Sequence, residues 1–319
     1  MAIHFRHFKN TDPPGILAIW QRCAHCLGPP RNITYEVFEQ MVFGKLHFDY
    51  AGFFVALDDE KIVGFAHASF GPSADSDSLD YSTGVICLVL IDPDWPDPAP
   101  LANELVKSCE EYLVKSGAKI IYGGCVRPAN PFYLGLYGGS EPPGVLEDDH
   151  LAIKAFQSTG YAHVDSTQGY EIDLREFRPA MNVKIAQIRR QVELAAELDA
   201  VPRNWWEALT LGNHEIVRVT AKERKTEALI SVATLRFMDP TCRGVVGDVC
   251  GLMDIRVAPP WREKGLASHV LSESFRRMAE NNIVRLDAQA HDSNEPLNAL
   301  LQAMKMEKTS RGLIFRKEM

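Results

Sequence analysis

Residues 251–278 constrain the fold more than any other stretch of this chain. Apolar and charged side chains alternate over residues 253–257, which predicts a short strand with one apolar face. Pro259 and Pro260 follow, and because proline has no amide hydrogen for a ladder, the strand must end there. Small or apolar residues then recur at helical spacing: Ala267, Val270, Leu271, Ser274, Phe275 and Met278. The sequence therefore predicts a strand, a basic turn and an amphipathic helix, in that order.

The turn has the features of an anion-binding site. The first amide groups of a helix have no partner within the helix, and together with the helix dipole they attract anions. Gly265 lets the backbone approach a ligand closely, and Arg262 and Lys264 add positive charge. A diphosphate would suit such a turn. The alternative is an ordinary strand-to-helix connection with solvated charges.

The run VAPPWREKGLA at residues 257–267 resembles the acyl-CoA signature of the GNAT acetyltransferase superfamily. In that superfamily an R/Q-x-x-G-x-G/A turn cradles the pyrophosphate of CoA, and the main chain of the preceding strand holds the pantetheine arm and the acetyl carbonyl. The resemblance thus implies acetyl-CoA as cosubstrate. The cofactor-binding residues that it implies are Ile255, Arg256, Val257, Arg262, Glu263, Lys264, Gly265, Leu266, Ala267, Ser268 and Asn294.

Downstream, the family pattern is kept in spacing but not in residue type. GNAT members often carry an Asn, a Tyr seven residues later and then a Gly-Phe pair. This chain has Asn294, but Leu301 stands at the Tyr position and a Lys-Met pair replaces Gly-Phe. The family Tyr protonates the leaving thiolate, which Leu301 cannot do. Either another donor such as His291 or Cys250 serves, or the thiolate leaves unassisted.

A second copy of the unit occurs nearer the N-terminus. The run Pro93-Asp94-Trp95-Pro96 lies between an apolar strand and an amphipathic helix, as residues 259–262 do, and residues 149–161 repeat the spacing of residues 294–306. Two copies of one unit are the simplest explanation. The chain thus resembles tandem GNAT proteins, an arrangement also found in mycothiol synthase. We predict an α+β protein with two GNAT folds, each a mixed, mainly antiparallel sheet flanked by helices, over residues 1–175 and 183–319.

The first copy differs from the second at the phosphate turn. Its sequence there is PDPAPL, so three prolines remove amide donors, and Asp97 would repel a pyrophosphate. We therefore predict that the first copy binds CoA poorly or not at all. It also carries an insertion at residues 127–148, rich in glycine, proline and aromatic residues. This insertion is either a long surface loop or a lid or wall of the substrate site.

The segment between the copies has few distinctive features. We interpret residues 175–181 as a linker, residues 183–198 as a charged amphipathic helix, and residues 205–209 as a second helix. Residues 216–221 and 228–237 then predict a hairpin that leads into the strand before the phosphate turn. Residues 284–288, 297–304 and 313–316 predict a strand, a helix and a final strand.

Acetyl transfer from a thioester to an amine needs a fixed thioester, a polarised carbonyl and an amine that loses its proton. Asp254 lies beside the expected acetyl position and is the candidate base, with Asp248 less well placed. A solvated or salt-bridged aspartate is the alternative for Asp254. His291 is the second catalytic candidate, as a proton donor to the thiolate.

Composition limits the kinds of partner and the cellular compartment that we expect for this protein. A formal charge of −8 disfavours a nucleic-acid binder, and no apolar run approaches the roughly 18 to 20 residues that cross a bilayer. The N-terminus lacks a signal-peptide core. Seven cysteines at irregular spacing favour free thiols in the cytoplasm. Cys23 and Cys26 have no second pair at zinc-finger spacing, so we expect no metal site.

These observations favour an N-acetyltransferase that uses its second half to acetylate a primary amine. The acceptor is a small-molecule amine or a peptide N-terminus, and the residues leave its identity and the oligomeric state open. A non-catalytic acyl-CoA-binding or scaffolding protein is the alternative, since the family Tyr and Gly-Phe are lost. In a third interpretation neither half binds CoA and both are structural.

Overall fold

The computed structural model describes residues 3–23, 33–179, 183–238 and 247–319. The strands are β1 Ile3–His7, β2 Phe53–Asp58, β3 Lys61–Pro72, β4 Leu79–Ile91, β5 Ile120–Gly123, β6 Val145–Leu146, β7 Ala162–Asp173, β8 Val192–Leu198, β9 Ile216–Glu223, β10 Leu229–Phe237, β11 Asp248–Val257, β12 Ile283–His291 and β13 Glu307–Glu318. The helices are α1 Pro13–Arg22, α2 Tyr35–Phe38, α3 Pro98–Lys115, α4 His150–Ser158, α5 Val183–Gln191, α6 Trp205–Leu211, α7 Leu266–Glu280 and α8 Glu295–Ala303.

These strands form one mixed sheet in the order β1-β2-β3-β4-β5-β13-β7-β12-β11-β10-β9-β8, and β6 pairs with β13. The pairs β4–β5 and β11–β12 are parallel, and the other pairs are antiparallel. The predicted α+β class, with mixed and mainly antiparallel sheets, is confirmed. Each half repeats the order of strand, helix, three strands, long helix, strand, short helix and strand.

The last strand of each half lies among strands of the other half. β13 lies between β5 and β7, with Phe315 opposite Gly123 and Arg316 opposite Ala162. β7 in turn lies between β13 and β12, with Tyr170 opposite Ala288. Each half therefore completes its sheet with a strand from the other. Backbone hydrogen bonds of β7 and β13 therefore join the two halves into one continuous sheet.

The internal repeat is visible in the backbone as well as in the sequence. The register of β10 against β11 shifts at Met253, which has no partner on β10, and the register of β3 against β4 shifts in the same way at Cys87. Trp261 follows Met253 by eight residues, and Trp95 follows Cys87 by eight. An extra residue bends a strand and increases its twist. Each copy thus carries an irregularity at the same place before its turn.

One helix prediction was wrong in its second part. The helix predicted over residues 183–198 ends at Gln191, and residues Val192–Leu198 form β8, the edge strand that pairs with β9. The sequence VELAAEL has a good intrinsic helix propensity. The open edge of β9 offers it a full ladder of hydrogen bonds, and the side chain of Val192 becomes buried. Tertiary pairing outweighs local propensity here.

The insertion at residues 127–148 is not a surface loop. Phe132 and Tyr133 are almost completely buried in the core of the first half, and Leu134 packs against Leu211 and Met253 of the second half. β5, which precedes the insertion, and β6, near its C-terminal end, pair with neighbouring parts of β13, so the insertion is an excursion within one interrupted strand. It fills the seam between the halves.

The helices lie on two sides of the sheet. In the second half α5, α7 and α8 pack on one face, where they form a core with Val219, Leu235 and Leu286. The other face carries α6 and the insertion, and we call it the insertion face. Within the ranges that the structure describes, no helix is both long and apolar enough to cross a membrane. The end of the predicted linker lies outside these ranges.

Candidate functional site

The candidate site is a cleft where β11 and β12 separate. Their parallel pairing ends with Gly251 opposite Asp287, although both strands continue. Ala258 N donates to Ile230 O over 2.8 Å on the other side of β11. In an antiparallel pair the backbone groups of alternate residues point the same way. Those of residues 254 and 256 therefore point towards β10, whereas those of residues 255 and 257 point into the cleft.

This geometry bears on three predicted contacts to pantetheine. Ile255 and Val257 direct their main-chain groups to the open side, as the prediction requires. The main chain of Arg256 is engaged with β10, and its carbonyl also accepts a hydrogen bond from Ser231 Oγ over 2.8 Å. The side chain of Arg256 binds Asp254, with 3.0 Å between Nη2 and Oδ2. Arg256 therefore has no main-chain group in the cleft.

The turn at residues 258–265, which we call the phosphate turn after its predicted ligand, has a concave backbone. After a short 3₁₀ turn at Pro259–Trp261, Glu263 and Gly265 have left-handed backbones with φ of 60° and 89°. Gly265 is the N-cap of α7, and no side chain caps this helix. Left-handed residues within a turn gather successive N–H groups into an anion-binding concavity, and the helix dipole adds to it. The amides of Leu266, Ala267 and Ser268 begin the helix there.

Two cationic side chains flank this turn. Arg262 Nε donates to Val257 O over 3.1 Å, which ties the turn to the end of β11. Lys264 Nζ lies 5.9 Å from the centre of the Trp261 ring, so a cation–π contact holds it near the turn. Leu266 is 1% exposed and packs into the core, so only its main chain is available to a ligand.

Asn294 serves as the N-cap of α8. Its Oδ1 accepts a hydrogen bond from Leu297 N over 3.2 Å, and Asp149 caps α4 of the first half in the same way through Ala152 N. Capping satisfies one of the free amides at a helix start. The spacing shared by the two copies therefore has a structural role. A contact of Asn294 to the cofactor stays a prediction.

Asp254 belongs to an ionic network on the insertion face. Its Oδ2 lies 3.1 Å from Arg203 Nη2, and Arg203 also binds Glu207, which in turn binds Arg218. The other carboxylate oxygen, Oδ1, is buried and has no hydrogen-bond partner among the described residues. Asp254 is thus salt-bridged through one oxygen and keeps the second oxygen available as an acceptor.

His291 lies at the end of β12. Its Nδ1 is 3.2 Å from Asp165 Oδ2, and Asp165 also accepts a hydrogen bond from Ser293 Oγ. Partial burial opposes ionisation of Asp165, but the bonds from Ser293, the Ser166 amide and His291 outweigh it and lower the pKa of Asp165. The carboxylate of Asp165 belongs to β7 of the first half. It orients an imidazole of the second half.

The two donors proposed in place of the family Tyr differ in accessibility, since His291 is partly exposed and Cys250 is buried. Leu301 is completely buried. Cys250 is buried in the same core, and burial raises the pKa of its thiol to about 12. Tyr170, which we did not single out from the sequence, places its hydroxyl on α8, where it donates to Asn298 Oδ1 over 2.8 Å. Tyr170 comes from β7, so only the strand exchange reveals it.

Asp287 is a second residue that the sequence analysis missed. It is the last residue of β12 that pairs with β11, and it is 5% exposed. Leu286 and Ala288 face the helix core, so Asp287, Gln289 and His291 face the insertion. Burial raises the pKa of Asp287 to about 6, although Arg285 opposes this shift. The signal in the sequence was the alternation of apolar and polar residues over residues 284–291, which puts Asp287 on the same face as Gln289 and His291.

The corresponding turn of the first half is closed. α3 begins at Pro98, and because Pro98 and Pro100 have no N–H, two of its first three residues offer no amide donor. Asp97 is the N-cap. The cavity between β4 and the segment at residues 144–146 has a volume of only about 10 Å³, and β6 and Phe156 line it.

The family model of the acetyltransferase (GNAT) family matches residues 16–138 and 181–306. These two matches cover most of the chain, which therefore belongs to this family and contains two copies of its domain. The family in general transfers acyl groups from acyl-CoA to amines. A search of curated proteins found no match.

Solved structures of low sequence identity share the whole fold. A tandem GNAT protein from the clavulanic acid biosynthesis pathway aligns with a TM-score of 0.68 and 12% identity, over 99% of this chain and 98% of that one. A GCN5-related N-acetyltransferase from Sphaerobacter thermophilus aligns with a TM-score of 0.64 and 14% identity, over 99% and 95%. A glucosamine N-acetyltransferase region of a fungal multi-domain β-N-acetylglucosaminidase has a TM-score of 0.70 and 16% identity, over 99% of this chain and 38% of that one. These likenesses show the tandem fold alone.

Proposed function

We propose that the second half binds acetyl-CoA and transfers its acetyl group to a primary amine. The observation that carries this proposal is the open strand pair β11–β12 next to an uncapped helix start with two left-handed residues, Glu263 and Gly265. The pyrophosphate binds the amides of residues 262–268, beside Arg262 and Lys264. The pantetheine arm lies along β11.

Acetyl-CoA supplies the acetyl thioester: an uncharged amine attacks its carbonyl carbon, a C–N bond forms, the C–S bond breaks, and the amine loses one proton. Asp254 takes this proton through its unpartnered Oδ1, directly or through water, while Arg203 and Arg256 hold the other oxygen. His291 returns a proton to the thiolate. Asp165 orients the imidazole for this role.

The first half, in this proposal, is structural. Two prolines at the start of α3 and the small cavity beside β4 support this role, since Pro98 and Pro100 remove two amide donors and the cavity has a volume of only about 10 Å³. What the first half contributes to the second is the insertion and strand β7. The protein works in the cytoplasm, and the buried thiols of Cys87, Cys109, Cys125 and Cys250 suit that compartment.

A non-catalytic acyl-CoA-binding or scaffolding protein is the second candidate. It is favoured by Leu301, whose buried apolar side chain stands at the position of the family Tyr and cannot donate a proton. Both candidates require CoA to bind at the same turn. Release of free CoA in the presence of an amine separates them, because only the enzyme turns over.

The test is a calorimetric titration of acetyl-CoA into the full chain and two variants. Gly265→Glu places a carboxylate and a strained backbone in the phosphate turn, since φ at this position is 89°. Ala99→Glu is the matched control, because Ala99 is exposed at the corresponding position of the first half. We expect one site per chain, lost in Gly265→Glu and kept in Ala99→Glu.

Two results would count against the proposal. If the unmodified chain binds no acetyl-CoA, both candidate functions fail. Two sites per chain, one of them lost in Ala99→Glu, would show that the first half also binds. Arg262→Ala is a milder companion to Gly265→Glu, since it removes one charge and one hydrogen bond to Val257 O but introduces no strained backbone.

A further inference from the structure

A cavity of about 160 Å³ lies at the seam between the two halves, and we call it the seam cavity. The insertion and β7 of the first half form one part of its wall, and β12 and β13 of the second half form the rest. Asp287, the last β12 residue paired with β11, is part of the wall. The seam cavity therefore begins where the strands of the candidate site separate, on the insertion face.

The wall on the insertion side is rigid. Arg236 is completely buried and donates to Ser140 O over 3.0 and 3.1 Å and to Gly139 O over 3.1 Å. Ser140 packs over Gly251, where an added Cβ would lie 3.0 Å from Ser140 Cα. A side chain on residue 251 would displace this segment. The seam cavity is thus preformed by contacts between the halves.

A buried hydroxyl in this wall has no partner. Ser140 is completely buried and lines the seam cavity, yet its Oγ makes no hydrogen bond within the described ranges. Burying a polar group without a partner is unfavourable, because its hydrogen bonds to water are lost and not replaced. Such a group favours a ligand or solvent that bonds to it.

Acidic groups outnumber basic ones in the wall. Glu141, Glu171 and Asp287 line the seam cavity, and Arg285 is the arginine among its described lining residues. Arg285 binds Asp287 tightly, with 2.8 Å between Nε and Oδ1, but its Nη1 is 3.7 Å from Glu171 Oε2. Glu141 pairs with Arg127. Glu171 is thus the carboxylate with the longest ion pair.

The pKa values of two carboxyl groups in the wall are raised, as expected where positive charge does not fully compensate buried acids. Burial raises the pKa of Asp287 to about 6, against the opposing effect of Arg285 and with a further upward contribution from Glu171. Burial also raises the pKa of Glu141, despite Arg127, Arg236 and His291. The nearby arginines therefore do not offset the cost of burying these negative charges, and an added cation would lower that cost.

We propose that the seam cavity binds a primary ammonium group on a short unbranched chain, with Glu171, Asp287 and the Ser140 hydroxyl as its partners. The ligand class is a linear diamine, which holds one ammonium in the cavity and presents its other nitrogen to the cleft. A volume of about 160 Å³ accommodates a short chain of heavy atoms, whereas a folded peptide segment is larger. The acceptor role rests on the proposed function, whereas binding of the cation does not.

The test is calorimetry on the full chain at pH 7.5 with 1,4-diaminobutane, and with 1,4-butanediol as the uncharged control. We expect the diamine to bind and the diol not to bind. Glu171→Gln and Asp287→Asn each weaken diamine binding at least about tenfold, because each removes a charge-assisted hydrogen bond. Glu307→Gln is the matched control: Glu307 is exposed and lies opposite Glu171 on β13 but does not line the seam cavity. It changes the affinity less than about threefold.

Further measurements keep the two proposals separate. Acetyl-CoA is titrated into the same preparations, and mass spectrometry follows monoacetylated diamine. Diamine binding without acetyl-CoA binding would sink the proposed function and leave the seam cavity as a cation site. Acetyl-CoA binding without diamine binding would overturn the seam inference alone, as would equal diamine affinities in the unmodified chain, Glu171→Gln and Asp287→Asn. Since Glu171 is partly exposed, Glu171→Gln keeps the test valid even where Asp287→Asn does not fold.

Discussion

The substitution Gly312→Ala tests whether the exchanged strand β13 holds the two halves together. It lies opposite Leu146 and Thr167, between β6 and β7. A Cβ added at this position would lie 1.8 Å from Pro143 O and 2.8 Å from Thr167 Oγ1. Backbone atoms do not tolerate such an approach, so Gly312→Ala must move either β13 or the insertion.

The cost of Gly312→Ala follows from what must move. The hydrogen bond from Thr167 Oγ1 to Pro143 O, 2.6 Å long and buried, would be lost at about 1 kcal/mol. Displacing the insertion from β13 breaks the short pairing of β6 as well, and overpacking by itself costs about 1–3 kcal/mol. We expect the free energy of unfolding to fall by about 3–5 kcal/mol.

The assay is urea denaturation, monitored by circular dichroism and by tryptophan fluorescence. Lys308→Ala is the control, because Lys308 is exposed on the same strand. Since the halves share one sheet, both signals should shift together in Gly312→Ala. A loss below about 0.5 kcal/mol, or an unfolding transition confined to one signal, would refute the view that β13 couples the halves.

Two further predictions concern the acids of the second half. Asp254→Asn should lower kcat about 100-fold or more and leave acetyl-CoA binding unchanged. Asp248→Asn, at an exposed position on the same strand, is the control and should change kcat little. Equal kcat values for the unmodified chain and Asp254→Asn would show that Asp254 is not the base. The second prediction is that Asp287 makes the chain less stable as the pH rises. In the folded chain the pKa of Asp287 is about 6, above the ordinary value of 3.8. Between these two pH values the folded chain binds the proton more tightly than the unfolded chain, so stability is lost as the pH rises through about 6. The charged groups that act on this carboxyl are Arg285, Glu171 and Arg236. Between pH 4 and 7 the free energy of unfolding should fall by up to roughly 3 kcal/mol relative to Asp287→Asn, and parallel curves in urea denaturation would contradict the shift.

Local sequence patterns predicted the backbone of the turn before α7 well. Alternation over residues 253–257, two prolines and a glycine defined a strand, a turn and a helix start, and the structure has each of them at the expected residues. The prolines of the first copy likewise determine the start of α3. These features depend on backbone torsions and missing amide hydrogens, which are properties of single residues and their immediate neighbours.

Longer-range features escaped the same reasoning. The sequence VELAAEL favours a helix but forms β8, because β9 has an open edge. The residues that line the seam cavity come from four separate segments, and Tyr170 contacts Asn298 only because β7 of the first half pairs with β12 of the second. No periodicity within one segment reports which distant strand will lie beside it.

The sequence by itself determined that this chain contains two copies of one strand, turn and helix unit, and that prolines remove amide donors at the helix start of the first copy but not of the second. The tertiary structure decided that the halves exchange β7 and β13, that the insertion is buried between them, and that Asp287 faces a cavity. The physical reason is the range of the interactions. Turn geometry and proline chemistry act between neighbouring residues, whereas strand pairing and burial depend on surfaces that exist only once both halves have folded together.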